Sequence, residues 1–312
     1  MNGLELSKGF YLQYGKPMLE KEFADKIGEI AVGLAGEGSE CLGYDDEFSR
    51  DHDFEAGFCM WITKEAEKEY GFKLERAYAK LPKEFMGVKR SLVSPAGGNR
   101  RGVIVIDDFY TRLLGANSAP DSIKRWLYTP SASLRAAVSG EVYRDDLGKF
   151  SEIRNVLKQG YPEDIRRKKI SAHAAIMAQS GTYNYERLIS RNETGAASLA
   201  LFEFVKHTVS VIYLLNNVYE PFYKWAYRGM RDLEKLSDLE FALTGLTELG
   251  NSRKESLEKR EIIQDIATII TDEFKAQKIT TATCNNLDTH AFAILDTIEN
   301  TELRNMHVME GV

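Results

Sequence analysis

The residues best suited to chemistry lie between Gly36 and Asp53. Gly36-Glu37-Gly38-Ser39 reads as a small-residue turn, and an eleven-residue gap separates it from Asp51-His52-Asp53. In an extended strand, alternate side chains share a face. Asp51 and Asp53 are therefore predicted to point together, about 6–7 Å apart along the chain. Two carboxylates that close repel each other unless a cation lies between them. The pair is a candidate site for a hard divalent ion such as Mg2+, which takes oxygen ligands. Backbone N–H groups at Gly38 and the Ser39 hydroxyl suit phosphate oxygens. A metal grip beside a phosphate grip is what transfer of a phosphorus-containing group requires. His52 points to the opposite strand face and reads as packing. Ser39 has no evident His/Asp partners that would make it a hydrolase nucleophile.

The elements that must hold these residues can be read in order. Residues 3 to about 35 read as helices. Ile30 to Leu34 either ends the last of them or forms a first strand. Asp45-Asp46-Glu47 reads as a solvated acidic turn. Asp51 to Thr63 reads as an apolar strand carrying the two aspartates. Thr63 caps a helix that Pro82 ends by about Leu81. Residues 83–101 read as a basic loop, either solvated or a flap onto phosphate, because Pro95-Ala96-Gly97-Gly98-Asn99 suits no regular element. Gly102 to Ile106 is the clearest strand. Asp107 follows it, either as a third carboxylate beside Asp51 and Asp53 or as the cap of a helix from Phe109. Residues 116–160 read as short helices and turns, with 139–150 as a linking region. From Pro162 the pattern is helical, over 163–180, 193–218, 221–235, 252–277 and 287–304.

Later candidates are weighed on the same terms. Between Asn216 and Arg228 the residues Tyr219, Tyr223 and Trp225 crowd around Asn216, Asn217 and Lys224. Such aromatics pack cores, but the polar residues among them also suit a cleft wall. There Lys224 or Arg228 would meet a triphosphate, and Glu220 would be the acid available for substrate recognition. Arg166-Arg167-Lys168-Lys169 reads as a solvated helix face. Arg167 and His173 fit the Arg-x5-His spacing of HEPN ribonucleases, yet positions six apart fall about 120° from each other round a helix. His207 reads as a satisfied core histidine.

Composition narrows the classes. The chain has 312 residues, 43% hydrophobic and 28% charged, an ordinary globular profile long enough for two domains. A net charge of −6 argues against binding long nucleic acid through a basic surface. Three scattered cysteines, with no C-x-x-C spacing, fit reduced thiols in the cytoplasm rather than zinc. The apolar run from Ala196 to Val218 contains Glu203, Lys206 and His207, which argues against a membrane span.

Gly38-Ser39, the gap and Asp51-His52-Asp53 resemble the nucleotidyltransferase superfamily that includes DNA polymerase beta and the antibiotic nucleotidyltransferases. The chain also resembles an uncharacterised bacterial family, a domain of unknown function. The shared phrases are Ser49-Arg50-Asp51-His52-Asp53, Gly140-Glu141-Val142-Tyr143-Arg144-Asp145, Gly160-Tyr161-Pro162-Glu163-Asp164 and Leu214 to Trp225. The resemblance implies an α+β protein, with a mixed-sheet nucleotidyltransferase-fold domain over 1–150 and a helical bundle over 151–312. It also implies two Mg2+ ions on Asp51, Asp53 and Asp107, phosphates on Gly38, Ser39 and Lys224, and a nucleotide in the cleft between the domains. The implied reaction moves a nucleoside monophosphate from ATP or GTP to a hydroxyl of a small molecule or protein. The sequence departs from the superfamily at the later strand, where Ile104 stands in place of an acid and Asp107 is the substitute. The alternative expectation is a nucleotide-binding regulatory protein that keeps the fold without turnover.

Overall fold

The computed structural model describes residues 1–51, 54–90 and 100–312, without the side chains of Arg50 and Asp51. The protein is α+β. Its chain divides into two compact units, one of residues 1–121 and 129–159, the other of residues 122–128 and 160–312.

The first unit is organised around a mixed sheet. Its strands are β1 (Ala31–Ala35), β2 (Cys59–Ile62), β5 (Gly102–Val105) and β6 (Gly140–Arg144), while β3 (Glu84–Phe85) and β4 (Val88–Lys89) form a separate hairpin. The sheet order is β5-β2-β1-β6. β1 runs antiparallel to β2, with Ala31 opposite Trp61, and antiparallel to β6. β2 and β5 run parallel, Cys59 opposite Gly102. A parallel pair needs a long crossover, and the segment from Thr63 to Arg101 supplies it. Within it Thr63 accepts a hydrogen bond from the Ala66 N–H and caps a helical stretch that ends at Ala79.

Helices cover both faces of the sheet, so β1, β2 and β5 are apolar throughout rather than alternating, while β6 also carries Glu141 and Arg144. Phe58, Met60 and Ile62 face a core with Leu6, Phe10, Leu74 and Tyr78. Trp61 points the other way and stacks on Phe150 at 3.8 Å. β1 and β6 approach closely where β1 shifts register between Val32 and Gly33. A Cβ on Gly33 would lie 2.3 Å from the Glu141 carbonyl, so only glycine fits there. Arg154 is 2% exposed. Its guanidinium donates to the carbonyls of Ala137, Val138, Ser139 and Gly140 and so ties down the turn that leads into β6.

Several sequence expectations change here. Asp51 does not begin a strand; it ends a 3-10 turn, Phe48–Asp51, and β2 starts only at Cys59. The cause is local. Asp46 Oδ1 accepts from the Ser49 N–H and hydroxyl, which turns the chain. A side chain on Gly57 would collide with Arg101 and Tyr78. Residues 84–89 are a hairpin rather than loop, because Met86 and Gly87 both take positive φ, the geometry of a two-residue hairpin turn. The linking region contains β6 itself, and the helix Lys149–Leu157 continues the first unit beyond it.

The second unit is helical. Glu163–Met177 continues through a π-helical segment, Ala178–Tyr185, into Glu186–Ser190. Thr194–Leu215 is long and apolar enough to cross a membrane by length and composition, but 61% of its apolar window is buried, as in a core helix. Leu239–Glu248 is a helix in the gap that the sequence pattern left between its helices over 221–235 and 252–277. The run Arg166 to Lys169 is not a solvated face. Lys168 is fully buried and donates to the carbonyls of His307, Val308 and Glu310, while Lys169 donates to those of Leu127 and Gly311. Arg166 and Arg167 both pair with Glu163.

Candidate functional site

β1 ends at Ala35, and the chain turns at once through Gly36 and Gly38, with φ of 125° and 114°. L-residues with side chains rarely adopt such angles, so the turn depends on glycine. Ser39 opens the short helix Ser39–Leu42, which Gly43 closes in a left-handed conformation. Gly38 and Ser39 are half-buried. Among the described residues the Ser39 hydroxyl makes no hydrogen bond. The turn thus offers unengaged donors at the end of a central strand.

His52 and Asp53 lie outside the described residues, as does the side chain of Asp51. What flanks them is described. Arg101, just before β5, is 5% exposed at its side chain and reaches two carboxylates. One guanidinium nitrogen lies 2.6 Å and 2.7 Å from the two Glu40 oxygens, and the other lies 2.9 Å from Glu55. Glu40 directly follows Ser39, and Glu55 lies two residues after Asp53. Burial pushes the Glu40 carboxyl above its usual range, with Arg101 pulling against that and Asp45 and Glu55 adding to it. Burial also opposes the charge on Arg101, but Glu40 and Glu55 outweigh it and hold the guanidinium charged. The nearby Cys41 and Cys59 are buried, and burial pushes Cys59 up to about 12. Neither is a ready thiolate.

Asp107 lies in the first turn of the helix Ile106–Leu114, so the helix starts before the position where the sequence placed a cap. Its carboxylate accepts from Asn117 at 3.1 Å and pairs with Lys64 at 3.1 Å. Those partners hold it below the ordinary carboxylate value. The carboxylate is ionised but already engaged. Among the described residues no group of three His, Cys, Asp or Glu side chains forms a metal site.

In the second unit Lys224 is exposed, with its ammonium 5.0 Å from the Trp225 ring. Glu220 is turned inward and accepts from the Ser210 hydroxyl at 2.6 Å; burial raises its pKa. It is a packed acid, not an open recognition group. Asn216 bonds the backbone of Lys235 through both ends of its amide. Tyr219 packs on Tyr161 at 4.8 Å. Most of the polar residues in this phrase therefore serve the packing. Arg167 and His173 have separate partners, Glu163 and His207.

The sequence reading missed the Glu40–Arg101–Glu55 cluster. Its one signal was a charged residue directly before a strand as apolar as Gly102–Val105, where burial obliges the charge to find a partner.

Comparison with known proteins adds the following. Residues 126–226 match a family described as a domain of unknown function (DUF4037). A crystal structure of a nucleotidyltransferase-like protein from Exiguobacterium sibiricum 255-15 is similar to this chain with a TM-score of 0.37 and 11% identity, over 90% of each chain. No curated protein matches the chain.

Proposed function

We propose that the protein is a Mg2+-dependent nucleotidyltransferase that moves a nucleoside monophosphate from ATP or GTP to a hydroxyl of an acceptor. The observation that carries this reading is the turn after β1. Two glycines at positive φ bring backbone N–H groups and the Ser39 hydroxyl to the end of a central strand, and Asp51-x-Asp53 follows after the gap. In this reading Gly38 and Ser39 hold phosphate oxygens, and Asp51 and Asp53 are the metal ligands. A bound ion would screen the phosphates and the leaving pyrophosphate. Lys224 is a further candidate for contact with phosphate.

Asp107 fits a metal less well, because Lys64 and Asn117 already occupy its carboxylate. That observation favours a second reading, a nucleotide-binding regulatory protein without turnover, since the attacking hydroxyl would lack its base. Two measurements on the whole protein separate them: calorimetry with ATP and GTP in the presence of Mg2+, and pyrophosphate release with candidate hydroxyl acceptors. Turnover that falls by on the order of 10²-fold or more in Asp51→Asn/Asp53→Asn supports the enzyme. Nucleotide binding that survives this double substitution, with no pyrophosphate formed, sinks it.

A further inference from the structure

In the helical unit two histidines meet nitrogen to nitrogen. His173, on the helix Glu163–Met177, and His207, on the helix Thr194–Leu215, place their Nδ1 atoms 2.7 Å apart. The other ring nitrogen of His207, Nε2, lies 3.1 Å from Glu203 Oε2. Zinc bonds to imidazole nitrogens are about 2.0–2.1 Å long and tetrahedrally disposed, which sets two ligand nitrogens on one ion roughly 3.3 Å apart. At 2.7 Å the two nitrogens share a proton instead.

The proton positions then follow from valence. An ionised carboxylate only accepts, so His207 donates from Nε2–H to Glu203. A neutral His207 has its lone pair on Nδ1, so His173 donates from Nδ1–H. The Nε2 of His173 is left as the bare nitrogen at the end of the chain. One added proton binds there without breaking any of these contacts. The shared proton can then slide toward His207, which brings the positive charge beside Glu203. A second added proton would set two N–H groups against each other at 2.7 Å, and the contact between the helices would have to open.

We propose that Glu203, His207 and His173 form a proton relay across the seam between these two helices, which takes up one proton at His173 Nε2 and opens the seam at the second. The charged groups facing the pair are Lys169, on the His173 helix, and Glu203 and Lys206, on the His207 helix. Among the described residues no titratable group faces it from the other helices packed on these two. On one of them, Leu287–Asp296, His290 is engaged by Thr280 and Cys284. Burial first, and then the neighbouring positive charges, lowers both histidines, while Glu203 pulls His207 back up. The folded chain therefore binds fewer protons than the unfolded one. The stability tied to the pair is complete above the ordinary histidine value of about 6.5. It is lost as pH falls from there through the lowered folded values.

The test uses the full chain. Ring 15N NMR at pH 7.5 is expected to find His207 as the Nε2–H tautomer, His173 as the Nδ1–H tautomer and one hydrogen-bonded Nδ1 proton between them. Both rings in the Nε2–H form would overturn the relay. Urea unfolding between pH 7 and pH 5 is expected to take up about one proton fewer in His173→Gln and in His207→Gln than in the parent chain. Uptake unchanged in both would overturn the acid response. Should the histidine variants fail to fold, Glu203→Gln changes a half-exposed side chain and is expected to move the His207 titration to lower pH. A titration that does not move overturns the coupling to Glu203.

Discussion

The two units bury charge in different ways. In the first, Arg101 lies between two carboxylates, Glu40 and Glu55, so charge meets opposite charge. In the second, Lys168 and Lys169 donate to backbone carbonyls, five in all, and Lys169 also lies over the Tyr161 ring, with no counter-charge bonded to either among the described residues. Dipoles compensate a buried charge less fully than counter-charges do. The titration behaviour follows that difference: Arg101 is held charged by its partners, whereas burial pushes both lysines down to about 8. An ion cluster is a unit whose members depend on one another. A lysine on carbonyls is a clasp that can fail by itself.

The comparison can be broken at its strong end first. Arg101→Met should strand the buried Glu40 and the half-buried Glu55 carboxylates and cost about 3–5 kcal/mol in urea unfolding, while replacing Glu40 and Glu55 by leucine in the same chain should recover most of the loss. No recovery would mean that the cluster is not a unit. Lys168→Met should cost less, about 2–3 kcal/mol, because it takes one donor from each of three carbonyls but leaves no charge unpaired. No second substitution that removes a charge should rescue it. Smaller again is Gly311→Ala. Residue 311 has φ of 99°, and a Cβ there would lie 2.6 Å from Leu127 Cδ1. A strain of roughly 1–3 kcal/mol is expected, read as a lower urea midpoint.

The smallest effect concerns Glu220, a half-buried acid that accepts a hydrogen bond from Ser210. Its raised pKa means that the folded chain binds the proton more tightly than the unfolded one. Stability should therefore fall as pH rises from the ordinary glutamate value of about 4.3 through the folded value. Glu220→Gln should remove that slope and raise neutral-pH stability by roughly 1 kcal/mol. If the slope persists in the variant, it belongs to another group.

What could be read from the sequence follows the range of the forces involved. The α+β class, β1 as one of two options, the strand at Gly102 and the long helices come from local patterning, which a single chain carries openly. β6 was hidden because Gly140–Arg144 has only the bulk of Val142 and Tyr143, and its pairing with β1 is non-local. The strand expected from Asp51 failed because hydrogen bonds from Ser49 to Asp46 turn the chain first. The basic runs misled for one reason. Arg101, Lys168 and Lys169 look solvated until their distant partners are known, and those partners are 42 to 142 residues away. Around the candidate site, the turn at Gly36 to Ser39 was legible because glycine announces its own backbone, whereas the cluster beside it depends on tertiary contact.

The segment Ser122–Tyr128 belongs to the helical unit although residues on both sides of it belong to the sheet unit. The chain therefore passes between the units three times rather than once. No single cut yields either unit whole: a fragment beginning at Gly160 would lack Leu127, the residue whose carbonyl Lys169 holds and against which Gly311 packs. Such an arrangement resists recombination by simple gene fusion, because a module that could be pasted onto another gene must be continuous. The two halves are interlaced as one heritable piece, and the DUF4037 match, which begins inside that segment at residue 126 and runs to 226, itself spans residues of both.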